Sequence, residues 1–374
     1  MNKTKNCFVI LFLICIVFFS NAIFAQNSSA QMSESLQRIL DNKWKELELY
    51  GIQAAVRSGD FYWRGESGFA DSDQEIKLNQ NHIMRVGSVT KIFTASLILK
   101  LAEEGEFDLD DKLSGWFPEY PQADQITIRQ LLNHSSGIYN YTENLWVSLE
   151  TAMRPKKRWT PLEVLEKTYD QELYFSPGEG HYYSNTNYLI LGLIAERTTG
   201  KTLSALYREY IFTPFELNNT YFVPFEGIPE NLITGYDRDV IPLGVHEMTA
   251  QKNGFVTLGF SAGAVVSTAS DLRIWVDSLF SSNFLNESSL EEMMTYLEVE
   301  DPDVQNQMGY GLGLRVLKIE DQILYGHTGT IPGFGAVVFY CPEKDYSLGL
   351  ISNISIFDQI NVMTELVKTI STNN

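Results

Sequence analysis

Apolar residues at Ile92, Phe93, Ala95, Leu97, Ile98, Leu99 and Leu101 predict a buried helix that stops at Gly105, a C-capping residue. Leu36, Ile39, Leu40, Trp44 and Leu47 recur at helical spacing across residues 33–48. Tyr188 to Glu196 reads as another buried helix, closing near Gly200. Thr127 caps the short helix IRQLL, and Thr160-Pro161-Leu162-Glu163 combines a capping box with proline at the first helical position. Ser267 to Asp271 opens a helix running through Trp275 and Leu279, and residues 358–371 close the chain as an amphipathic helix. Strand patterns occupy the two ends. Gly51–Val56 and Phe61–Trp63 flank the turn Ser58-Gly59-Asp60, and Gly65–Ala70 continues the sheet. Tyr310–Val316, Gln322–Tyr325, Gly335–Tyr340 and Tyr346–Ile351 follow as successive antiparallel strands.

Strands at both ends with helices between them predict an α+β fold. An antiparallel sheet, flanked by N- and C-terminal helices, is drawn from residues 26–85 and 253–374. Residues 86–252 form an inserted, mainly helical domain with the Ser88 helix at its start. No internal repeat or low-complexity tract interrupts this layout.

The first 25 residues change the picture. Lys3 and Lys5 precede CFVILFLICIVFF, and a small residue, Ala25, precedes a polar stretch. This reads as a cleaved secretory signal, too short for a spanning helix, so the mature chain is expected to be secreted or periplasmic without stable membrane insertion. The leader takes Cys7 and Cys15 with it. Cys341 is left alone, so no internal disulfide can form and stability rests on the core. The formal charge of −19 becomes −21 without Lys3 and Lys5. Such a surface disfavours nucleic acid and anionic membranes.

Candidate chemistry starts at Ser88. Lys91 lies three positions on, one helical turn later and on the same face. Its amine can reach the serine hydroxyl, and the helix start adds positive potential and free N–H groups. A serine hydroxyl is a poor nucleophile until a base activates it. Desolvation at an apolar helix start lowers a lysine pKa and lets it accept that proton. Taken alone, the pair reads as a capping serine beside a solvated lysine, because a Ser-x-x-Lys pair arises by chance about once in a chain this long. Two further motifs stand at Tyr183-Ser184-Asn185 and His327-Thr328-Gly329-Thr330. The Tyr183 phenol can shuttle protons, or simply pack on the core. Gly329 permits close approach to the backbone, and the Thr330 N–H can form one arm of an oxyanion hole; the alternative is a plain turn.

Ser-x-x-Lys, then Tyr-x-Asn about a hundred residues on, then a basic residue followed by Thr-Gly is the three-part signature of penicillin-recognising serine enzymes. The chain resembles the class C β-lactamase-like, penicillin-binding-protein-like family, which includes DD-peptidases, D-amino-acid peptidases and esterases. The resemblance spans Phe61 to Ile351 and rests on RVGSVTKIFTA, LLNHSSGI, YSNTNYLILGLIAE, SAGAVVSTASDL and GHTGTIPGF. It implies acylation of Ser88, with Lys91 and Tyr183 sharing the proton traffic and Tyr183 held as phenolate or hydrogen-bonded by Lys91. It implies an oxyanion hole from the N–H groups of Ser88 and Thr330. Asn185, His327, Thr328, Gly329 and Thr330 would bind substrate, and no metal or cofactor is needed. Loops such as 140–158 and 236–254 would set the substrate, a small ester, D-amino-acid peptide or β-lactam.

One departure redirects the expectation. His327 stands where many members carry lysine, and a histidine is only partly charged near neutrality. An ester or small-peptide substrate therefore gains weight over efficient β-lactam hydrolysis. A competing site is Gly259-Phe-Ser261-Ala-Gly263, which fits G-x-S-x-G and precedes His327 in α/β-hydrolase order, with five aspartates between. It lacks the strand-to-helix elbow that motif needs. A non-turnover penicillin-binding or sensing protein is the other alternative, against which all of Ser88, Lys91 and Tyr183 speak. The five histidines show no zinc-site spacing. No pattern encodes an oligomeric state.

Overall fold

The computed structural model describes residues 28–71, 73–223, 225–237, 246–249, 254–355 and 357–373. The expected leader and most of the 236–254 loop lie outside them. Among the described residues, nine strands form one antiparallel sheet. From edge to edge they are Ile76–Lys77, Phe61–Asp71, Gly51–Ser58, Tyr346–Ser352, Phe334–Cys341, Gln322–Ile331, Arg315–Ile319, Gln307–Tyr310 and Leu297–Glu298. The first strand pairs with the last, Ile52 opposite Ser352 and Ser58 opposite Tyr346. The two ends of the chain thus close the sheet at its middle, as expected.

Both faces of this sheet are covered, and the two-residue period sorts the side chains between them. Val337, Phe339 and Cys341 point to one face. There they meet Met32, Leu36 and Leu40 of the helix over residues 28–46, and Val362, Leu366 and Ile370 of the Gln359–Asn373 helix. Ala336, Val338 and Tyr340 point to the other face, against Leu272, Trp275 and Val276 of the Ala269–Ser281 helix. That helix lies directly on the sheet because Gly349 has no side chain: a Cβ there would stand 2.5 Å from the Ala269 carbonyl oxygen. Each large apolar side chain buried in these layers contributes about 1.5–3 kcal/mol.

The remaining helices form a layer centred on Thr90–Glu103. Every residue of that helix from Thr90 to Leu99 is buried, so it has no solvent face. Asn185–Thr199 and Gly254–Gly263 pack beside it. The helical layer thus continues past residue 253, where the sheet region was expected to resume. Val265–Ser267 then pairs with Met84–Arg85 and Tyr221–Phe222 in a small separate sheet.

The expected single strand Tyr310–Val316 is in fact two strands joined by a turn over residues 311–314. The cause is a close approach. Gly313 has φ +80°, and a Cβ there would lie 2.3 Å from Ala95 Cβ and 2.9 Å from the Tyr188 hydroxyl. The turn therefore seats directly against the Thr90–Glu103 helix, where only glycine fits. Among the described residues, no helix is long and apolar enough to cross a membrane.

Candidate active site

Ser88 sits in a one-turn 3₁₀ helix, Gly87–Val89, that leads into Thr90–Glu103. Two glycines fit this turn to the Gln322–Ile331 strand. Gly87 has φ +50°, and a Cβ on it would be 2.8 Å from the Thr330 carbonyl oxygen. A Cβ on Gly329 would be 2.0 Å from the Val86 carbonyl oxygen and 3.1 Å from Ser88 N. Backbone contacts this tight bring the amides around Ser88 and Thr330 to one spot. Ser88, Thr328 and Thr330 line an open cleft of about 1050 Å³ there, with Tyr183 on its wall.

Beneath Ser88, Lys91 is fully buried. Its Nζ lies 3.1 Å from Ser88 Oγ, 2.7 Å from Asn185 Oδ1 and 3.0 Å from the Ala262 carbonyl oxygen. Asn185 opens the Asn185–Thr199 helix, and its backbone N–H donates to Asn140 Oδ1 at 3.1 Å. Ala262 presents its carbonyl near the end of a helix kinked at Phe260 (φ 35°). These three oxygens are all uncharged. Desolvation first, then the charge of Arg315, push the Lys91 pKa well below 10.5. The neutral amine, with a lone pair for the serine proton, is thereby made accessible.

The Tyr183 hydroxyl is buried without a partner at full hydrogen-bond geometry. Its ring lies against two basic side chains, 4.8 Å from Lys91 Nζ and 5.1 Å from the Arg315 guanidinium carbon. Burial raises its pKa to about 12, against the opposing pull of Arg315 and Ser88. The resting group is therefore a phenol, not the phenolate that the resemblance allowed. The lowered pKa belongs to Lys91.

His327 is placed differently from the expectation. It is fully buried, whereas Thr328 and Thr330 reach the cleft. Burial, Arg315 and Lys91 together hold its pKa well below 6.5, so it offers no charge to a substrate. Its partners define a directed chain. The Ser184 N–H donates to His134 Nδ1 at 3.2 Å, which leaves the proton on Nε2. That nitrogen lies 3.2 Å from the Tyr310 hydroxyl, which in turn lies 3.0 Å from His327 Nε2. The His327 Nδ1–H then donates to the Thr328 carbonyl at 2.5 Å. Every donor meets an acceptor, with both imidazoles neutral. The chain ties Ser184, between Tyr183 and Asn185, to Thr328, beside Gly329 and Thr330. Gln359 adds a second tie, donating to the Gly329 carbonyl and Thr330 Oγ1 at 3.3 Å each.

Sequence reasoning missed Tyr310 and Arg315 and gave His134 no part in the site. Arg315 carried a readable signal: a cation inside the apolar run Leu314-Arg315-Val316-Leu317 is an anomaly that needs a partner. Ser261 is not a second nucleophile. It is fully buried, and its hydroxyl donates to the Tyr188 carbonyl at 2.6 Å. It stands in a helix followed by a strand, the reverse of a nucleophile elbow.

Known proteins resemble this chain in sequence and fold. The β-lactamase family model matches residues 36–363. Penicillin-binding protein 4* of Bacillus subtilis (strain 168) is 26% identical over 332 residues, covering 85% of this chain and 71% of that protein. The chain spans about three fifths of several other curated relatives. Among solved structures, D-amino acid amidase from Ochrobactrum anthropi SV3, complexed with L-phenylalanine amide, superposes with a TM-score of 0.82 at 28% identity, covering 91% of this chain and 99% of that one. A D-stereospecific amidohydrolase from Streptomyces sp. superposes with a TM-score of 0.78 at 29% identity, covering 88% and 97%.

Proposed function

Because the chain belongs to the β-lactamase family of serine hydrolases, we propose that it cleaves small amides and esters, D-configured ones foremost, through an acyl-enzyme on Ser88. We also propose that it acts outside the cytoplasm, the location a cleaved secretory leader over the first 25 residues would give it. The observation that carries the chemistry is a buried, uncompensated Lys91 amine 3.1 Å from the Ser88 hydroxyl.

In the first step Ser88 Oγ forms a bond to the substrate carbonyl carbon, and its proton passes to Lys91 Nζ. The carbonyl oxygen becomes an oxyanion, which the Ser88 and Thr330 N–H groups receive. The protonated phenol of Tyr183 gives its proton to the leaving nitrogen or oxygen and regains one from Lys91. The bond to the leaving group breaks, leaving the acyl ester on Ser88. Water then forms a bond to the acyl carbon and loses a proton to the Lys91 amine. The bond to Ser88 Oγ breaks, Oγ takes that proton back through Tyr183, and the acid is released. Asn185 holds Lys91 in place without charging it.

Two observations favour amides and esters over β-lactams. His327 puts no cation on the strand beside the nucleophile. The structural neighbours of 28–29% identity are named for D-amino acid amide or D-stereospecific amide hydrolysis. A panel of D- and L-amino acid amides, a p-nitrophenyl ester and a cephalosporin, read by initial rates with the wild type, Ser88→Ala and Ser261→Ala, tests the reading. D-amides and the ester should turn over, Ser88→Ala should abolish this, and Ser261→Ala should retain it. Activity surviving in Ser88→Ala, or an acyl group held for hours without release, contradicts it.

A further inference from the structure

Among the described residues lining the cleft, Arg315 is the one arginine or lysine. A guanidinium in a cleft wall is the usual receptor for a substrate carboxylate, because its fork matches both oxygens. Here the guanidinium is already paired through one of its nitrogens, and its Nε is buried without a partner. Its Nη1 donates to Asp301 Oδ2 at 2.7 Å and to Gln307 Oε1, and only 8% of the side chain is exposed. Asp301 is itself held. Its Oδ1 accepts the Asp303 N–H at 3.0 Å, and its carbonyl accepts the Val304 N–H at 3.0 Å. The turn over residues 301–304 thus presents a fixed carboxylate to Arg315 from the cleft wall. Glu143, Glu300, Asp303 and Asp358 line the same cleft and add negative potential.

Resting on the proposed acyl transfer through Ser88, we infer that Asp301 is a specificity-determining residue. It serves as the internal counter-ion of Arg315, takes the place a substrate carboxylate needs, and selects acyl donors with an uncharged leaving side. A peptide with a free terminal carboxylate must displace Asp301 and enter among acids. An amide or ester meets neither obstacle.

A matched pair tests this: an acyl-D-alanyl-D-alaninamide and the same compound with a free terminal carboxylate, assayed with the full chain. The wild type should prefer the amide at least tenfold in kcat/KM. Asp301→Asn should narrow that ratio at least tenfold, chiefly through KM for the acid. Arg315→Gln should lower both substrates alike, since the charge is already compensated. The inference is overturned by a wild type that takes the acid as well as the amide, by an unchanged ratio in Asp301→Asn, or by an Arg315→Gln loss of tenfold or more confined to the acid. If Asp301→Asn melts far below the wild type, the wild-type ratio and Arg315→Gln decide. Ser88→Ala separates the two readings. Hydrolysis surviving there sinks the nucleophile, whereas an inactive Ser88→Ala with a flat wild-type ratio sinks Asp301 alone.

Discussion

Lys91 and Arg315 are two buried basic side chains against the Tyr183 ring, and the protein treats them in opposite ways. Lys91 is given three oxygens and no carboxylate. Arg315 is given the carboxylate of Asp301. Burial penalises both charges, but a counter-ion offsets that penalty only for the arginine. Lysine has a titratable alternative within reach and takes it. The chemistry of the cleft follows from this asymmetry: a neutral base under the nucleophile, and a fixed positive charge in the wall that steadies the Tyr183 ring.

The strongest way to break the comparison is to remove the base. Lys91→Ala should cost about three orders of magnitude or more in kcat, with Ser88→Ala as the reference for complete loss. A Lys91→Ala variant within tenfold of wild type would leave Arg315 as the only cation that matters. Tyr183→Phe comes next. It removes the proton donor to the leaving group, and kcat should fall about a hundredfold. Esters should suffer less than amides, because an alkoxide leaves more readily without a proton. Equal losses for both would assign Tyr183 to packing.

Asn185→Asp sharpens the comparison by giving Lys91 what Arg315 already has. The wild-type base is needed deprotonated, so activity is lost as pH falls through the Lys91 pKa. That pKa is depressed, so the acid limb of kcat/KM lies well below 10.5. No opposing loss from Tyr183 is due until about pH 12. A carboxylate beside the amine raises its pKa. The limb of the variant should move up the pH axis, with reduced rates at neutrality and recovery in alkali. A limb that stays in place would show that Lys91 is not the titrating group.

The smallest effect is expected from the chain that ties the motifs together. Tyr310→Phe leaves the His134 Nε2–H and His327 Nε2 unpaired in a buried site, which costs about 1–3 kcal/mol of stability. The rate should fall several-fold through misplacement of Thr330 and Tyr183, read as a lower kcat at similar KM. A melting temperature equal to wild type would remove the chain from the account.

How legible was all this in the chain itself? Period-two and helical patterns carry the sheet, its closure by the two ends, and the Ser88 helix, because a face that must be buried leaves its period in the sequence. Thr127 and Thr160 announce themselves as caps, and both accept the expected backbone N–H. The full capping box forms at Thr127 with Gln130, whereas Thr160, where the box was expected, shows the Glu163 N–H bond. The Tyr310–Val316 segment reads as one strand because its turn exists for the sake of Ala95, far away in sequence. The same limit applies at the site. Ser88 and Lys91 stand three residues apart where a 3₁₀ turn runs into a helix, so their contact follows from spacing alone. The charge state of Lys91 depends on the burial that separate segments impose and on Arg315, and that of His327 on full burial, Arg315 and Lys91. Those neighbours come from separate segments, and no local pattern records them. His327 looks like a substrate cation by motif position and proves to be a neutral member of an internal chain.

The central claim is that Lys91 is a base because burial without a counter-ion has taken its charge. An NMR titration of the full chain with ¹³Cε-labelled lysine measures this directly, the Lys91 signal being identified by its loss in Lys91→Arg. The account predicts that this signal titrates well below 10.5, apart from the other lysines. A Lys91 that titrates with them, at or above 10.5, would contradict it.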